Sequence, residues 1–200
     1  MRTFLLTLAL IGLASCVPLS DHPAGDEKNS EFDARLQGVW RAASGDGPLL
    51  LFVGPGDDAG HGVQLMTVEE TRDQRWKTVE YAGISTRGGR HGFLSVRYQT
   101  TGGERRGWVI ARYTLAGRDR LQLYTLDHTR LAALINAGRV SGRVSGDGPY
   151  ADVDVTMGSG AALIALLESK DGQRLFGPPH TLVRGAHQST GTGVTPTPSR

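Results

Sequence analysis

Apolar and polar residues alternate with a period of two through much of the chain. Leu94, Val96 and Tyr98 alternate with Ser95 and Arg97; Val109, Ala111, Tyr113 and Leu115 alternate with Ile110, Arg112 and Thr114. Leu121 and Leu123 alternate with Gln122 and Tyr124, and Val153, Val155 and Met157 with Asp152, Asp154 and Thr156. Successive side chains of a strand point to opposite faces, so this pattern predicts strands with one buried and one wet face, as in antiparallel sheets. Turn clusters separate them at 54–58, 87–90, 101–104 and 116–119, each rich in Gly with Asp, Arg or Thr. Short strands at even spacing predict a mostly β, up-and-down antiparallel sheet of about eight or nine strands, closed into a barrel because closure removes exposed edges.

Two segments late in the chain break the alternation. Leu131, Leu134 and Ile135 fall at helical spacing between Asp127 and Gly138, with Asp127 or Thr129 as N-cap and Gly138 as the stop. Leu163, Leu166 and Leu167 do the same between Ser159 and Gly172, with Ser159 as N-cap and Gly172 past the end. Residues 17–30 carry Pro, Ser, Asp and Gly without an apolar period and read as a flexible tether. Residues 185–200 are rich in Gly, Thr and Pro and read as a disordered tail. The folded body is then 31–184, and a hydrophobic content of 38% suits one domain of that size.

The first fifteen residues form a separate unit. Met1-Arg2 gives a positive start, and Phe4, Leu5, Leu6, Leu8, Leu10 and Ile11 an apolar stretch too short for the ~20 residues that span a bilayer. The single cysteine, Cys16, follows Leu13-Ala14-Ser15. This run resembles the lipobox of bacterial lipoproteins. The resemblance implies a signal peptide over 1–15, acyl chains (palmitate among them) on Cys16, and a membrane-anchored protein of the cell envelope. Val17 after the cysteine implies an outer-membrane location facing the periplasm. One cysteine permits no intrachain disulfide, so the core alone must stabilise the fold.

Gly38-Val39-Trp40 opens the first strand of the body, and Arg184 closes the last apolar stretch, Thr181-Leu182-Val183. The pair resembles the Gly-x-Trp signature and the packing arginine of lipocalin-like barrels, here of a kind found in uncharacterised envelope lipoproteins. The resemblance implies that Trp40 closes one end of the barrel with Arg184 over its indole. It also implies an interior pocket for a hydrophobic or amphipathic small molecule, lined by Leu65, Leu94, Val96, Tyr98, Val109, Ala111, Tyr113, Leu121 and Leu123. The alternative is a barrel filled by the same side chains, acting as a structural or protein-interaction module of the envelope.

Other chemistry finds little support. Gly158-Ser159-Gly160 lacks the third glycine of a dinucleotide loop, and no Lys-Thr follows for a P-loop. Gly83 to Gly88 misses the serine-hydrolase elbow by one residue. Histidines are scattered without metal-ligand spacing. No catalytic residue, metal site or cofactor emerges, so the protein is read as a non-enzyme. Loss of the leader removes Arg2 and lowers the formal net charge from +2 to +1, too little for a nucleic-acid footprint. Seven arginines between 87 and 118, with Glu104 the lone acid from 84 to 118, suggest either a basic patch or scattered solvent-facing side chains.

Overall fold

The computed structural model describes residues 17–42, 49–56, 62–70, 73–98, 107–146 and 151–185. Cys16 and the leader lie outside these residues, as does the expected tail from residue 186 onward. Eight strands close an antiparallel barrel: β2 (Gly38–Ala42), β3 (Leu49–Pro55), β4 (Val63–Glu70), β5 (Trp76–Arg87), β6 (Gly92–Tyr98), β7 (Trp108–Ala116), β8 (Arg120–Thr125) and β11 (His180–Arg184). Each pairs with its sequence neighbour up to β8, and β11 closes the ring between β8 and β2. The mostly β, up-and-down architecture expected from the alternation is therefore present, and it is consistent with a lipocalin-like fold.

Three further strands extend the wall. β1 (Leu19–Ser20) pairs antiparallel with the start of β7 and parallel with β10 (Asp152–Val155), and β9 (Gly142–Ser145) pairs with β10. β1 takes the edge of β7 at Trp108 and Val109, just beyond the point where β8 leaves it at Ala111. Segment 17–30 is thus part of the fold and not a flexible tether. Pro18, Leu19, Ser20 and Ala24 are buried. Backbone bonds do the holding: Asp21 N donates to Val155 O (3.1 Å), Ala24 N to Ser95 Oγ (2.9 Å), and Met157 N to the Asp21 carboxylate (3.1 Å). Such pairing needs no apolar period, which is why composition alone suggested disorder.

The late helices cover the outside of β6 and β7. They are α1 (His128–Asn136), α2 (Gly160–Glu168) and α3 (Lys170–Gln173). Asp127 and Ser159 are the N-caps, accepting from Arg130 N and Ala162 N. Gly138 ends α1 at a φ of +67°, a conformation glycine adopts without strain. The second helical run, expected unbroken to Gly172, divides at Ser169. That hydroxyl donates to Leu166 O (2.6 Å) and accepts from Gly172 N (3.0 Å), so it ends α2 and caps α3.

Two cores result. One lies inside the barrel around Leu36, Trp40, Leu94, Tyr113 and Leu121. The other lies outside it, where Phe93, Trp108 and Ile110 of β6 and β7 meet Leu131, Leu163, Leu167, Leu175 and Phe176. β6 and β7 therefore bury both faces. The alternation at Ile110, expected to face water, fails because α2 and the 175–176 segment cover it.

Candidate binding site in the barrel lumen

One end of the barrel is sealed. Trp40 is fully buried there, and its indole N–H donates to Leu36 O (2.7 Å), holding a short turn of 3-10 helix (Ala34–Leu36) across the opening. The Arg184 guanidinium lies 4.1 Å from the Trp40 ring centroid, a cation–π contact of about 0.5–2 kcal/mol. It also donates to the carbonyls of Arg118 (2.8 Å), Arg35 (2.8 Å) and Gln37. Gly38 has φ +133°, and a Cβ there would sit 2.7 Å from an Arg184 nitrogen. Gly38, Trp40 and Arg184 thus occupy one closing unit.

A buried polar cluster completes the seal, and sequence inspection missed it. The Asp33 side chain is only 3% exposed. Its carboxylate accepts from Arg35 Nε (2.8 Å) and Nη2 (2.6 Å) and from the Tyr113 hydroxyl (2.9 Å), with Arg87 at 3.4 Å. Ser85 Oγ accepts from Asp33 N (3.0 Å) and donates to Glu31 O (3.1 Å). The bonds from Arg35, opposed by burial and reinforced by Tyr113, hold the Asp33 carboxyl well below the usual carboxylate range. Burial, with the Asp33 charge beside it, pushes the Tyr113 phenol above its ordinary value. An Asp before a helical turn is an ordinary N-cap signal. The partners from β5 and β7 lie 52 to 80 residues away, so no local motif announces them.

Above this seal is a cavity of about 110 Å³ with an almost entirely apolar lining. Leu65, Leu94, Val96, Val109, Ala111 and Leu123 line it. Tyr113 and Leu121 do not. They are fully packed in the lower half of the barrel, Tyr113 because its hydroxyl is drawn to Asp33. The side chain of Tyr98 lies outside the described residues. The wall also includes Leu51, Tyr81 and Leu182, which sequence inspection omitted, and near the mouth Val17, Thr125 and His180. Burial pushes the His180 imidazole below its ordinary pKa, so at neutral pH it presents an uncharged ring to the cavity.

The arginines do not form a single patch among the described residues. Arg87 faces Asp33, Arg97 stacks 3.8 Å over Trp108, and Arg112 is sandwiched between Tyr124 (4.3 Å) and Phe176 (4.5 Å). Arg118 lies in the turn between β7 and β8, and Arg105 and Arg106 are outside the described residues. Among the described residues no group of three or more His, Cys, Asp or Glu is placed to hold a metal.

The site and fold define a class: a closed antiparallel barrel, sealed at one end, with an apolar lumen at the other. Comparison with protein-family models, with curated proteins and with solved structures finds no match to this chain.

Proposed function

We propose that this is an envelope lipoprotein, anchored through acyl chains on Cys16, whose barrel binds a slender hydrophobic or amphipathic molecule without catalysing its conversion. The observation that carries the binding reading is the apolar cavity of about 110 Å³ between Leu65, Leu94, Val96, Val109, Ala111 and Leu123. Drug-sized pockets run to roughly 300–1,000 Å³, whereas a dry apolar cavity of ~150 Å³ suffices for a benzene-sized group. The ligand favoured is therefore a single hydrocarbon chain, entering end-on. Filling that space with apolar surface contributes about 25 cal/mol per Å² removed from water, enough for a selective if modest affinity.

The sequence Leu13-Ala14-Ser15-Cys16 after an apolar leader supports the anchor. Fractionation tests it: Cys16→Ala should leave the membrane fraction, and unchanged membrane association would overturn the anchor. Titration of the mature protein with a fluorescent polyene fatty acid, a single-chain dye, tests the lumen. Dye binding should saturate, be displaced by medium-chain fatty acids, and disappear in Ala111→Leu, whose added carbons occupy the cavity.

A second reading has its own observation. The lumen is small, and the outer wall of β2, β3 and β4 carries Val39, Phe52 and Met66 side by side and only partly buried. In that reading the barrel is filled and its outer wall meets another envelope protein. Dye binding that Ala111→Leu leaves untouched would favour it.

A further inference from the structure

Strand directions place the open end without ambiguity. Trp40, Val53 and Arg184 meet at the sealed end, so the start of β5, the start of β7, the end of β8 and the start of β11 meet at the other. Two independent features lie at that open end. The first is the entry of the chain. Val17 lines the cavity mouth and Pro18 is fully buried, so the described chain joins the barrel at this end.

The second feature is Trp76. It is 60% exposed, the one large hydrophobic side chain so exposed among the described residues. It opens β5 opposite Glu70, on the rim. Outward-facing Val68 and Leu50, both half-buried, sit one register step further down the wall. Of the charged groups near it, Glu70 stands directly across the strand pair, Lys77 pairs with Glu69 at 3.7 Å, and Arg75 pairs with Asp73. Trp is enriched where a protein meets the headgroup layer of a membrane, because its ring is apolar and its N–H is polar. Among the described residues no side chain covers this Trp, its outward neighbours Val68 and Leu50 are apolar, and the headgroup layer of a bilayer fits its chemistry.

We propose that the barrel seats mouth-down on the lipid bilayer, with Trp76 in the headgroup layer and the lumen opening onto the membrane. This rests on the acylation of Cys16 for its tether, while the seat itself is built from Trp76, Val68 and Leu50. It also deepens the binding reading. The ligand is a chain that leaves the bilayer for the lumen without crossing water, so membrane lipid tails or lipid-borne chains are the ligand class.

The test uses the mature protein with vesicles of phosphatidylethanolamine and phosphatidylglycerol, some carrying lipids brominated near the headgroup end of the chain. Trp40 is buried at the sealed end, whereas Trp108, though buried, opens β7 near the mouth, so the quenching that disappears in Trp76→Phe is the part that reports Trp76. Trp76→Phe should abolish most of that quenching while flotation with vesicles persists. Protein that floats while Trp76 stays open to aqueous iodide would overturn the seat and leave the anchor standing. Protein that does not float at all overturns the seat as well. The mass of the N-terminal peptide decides the anchor separately: an unmodified Cys16 refutes acylation whatever the quenching shows.

Discussion

Gly38 carries two constraints at once. Its φ of +133° is open to glycine and strained for other residues, and the space a Cβ would take is occupied by Arg184. Gly38→Ala should therefore lower stability by about 1–3 kcal/mol, measured by urea unfolding, and loosen the Arg184 stack on Trp40. Asp33 makes a second prediction at this scale. Its folded pKa is depressed, so its contribution is complete above the unfolded value of ~3.9 and is lost as pH falls towards the folded one. Tyr113 works in the opposite direction. Its phenol pKa is raised, so its contribution is complete below the unfolded value of ~10 and is lost as pH rises beyond it. Asp33→Asn should flatten the acid limb of a stability profile, and Tyr113→Phe the alkaline limb. An acid limb unchanged by Asp33→Asn would show that the buried cluster does not couple to folding. Gly-x-Trp was legible in the sequence because its chemistry is local. The Asp33 cluster was not, because its members are distant residues joined only by barrel closure.

At the level of elements, the outer layer explains both what alternation predicted and where it failed. β4 keeps its alternation, since one side meets the lumen and the other mostly solvent. β6 and β7 lose theirs under α2 and the Leu175–Phe176 bridge to Leu126. Phe93 and Phe176 pack there with ring centroids 6.4 Å apart, tilted by 31°. Phe176→Ala should cost about 3–5 kcal/mol, the range for emptying a buried aromatic, read as a shift in thermal midpoint. The N-terminal segment depends on a closer fit. Gly160 opens α2 directly over Gly25, and a Cβ there would lie 1.9 Å from the Gly25 carbonyl oxygen. Gly160→Val should therefore release residues before Asp26 from the wall, exposing them to protease while the barrel persists. Equal protease resistance in the two proteins would contradict that packing. Helix ends were legible from their caps, Asp127 and Ser159. The capping of α3 by Ser169 was not, because a serine inside an apolar helical run looks like an ordinary helix position.

Across the whole molecule, one end is a seal and the other a mouth. Closure of eight strands by β11 leaves no free edge in the barrel, so the lumen can stay apolar without inviting strand addition. The extension β1–β10–β9 and the three helices thicken one side and bring the chain's entry to the mouth. The barrel and its alternation were visible in the sequence because period two survives in most strands. The division of the interior into a packed lower half and an open upper half was not visible. Leu121 and Leu123 alternate identically, yet Leu121 is fully buried in the packed half and Leu123 reaches the cavity.

Native mass spectrometry of the protein extracted gently from membranes tests the ligand-binding lumen most directly. The wild type should carry a co-purified hydrophobic molecule of defined mass that is absent from Ala111→Leu, whose side chain fills the cavity. A wild type recovered empty under the same conditions, with a spectrum matching that of Ala111→Leu, would contradict a ligand-binding lumen.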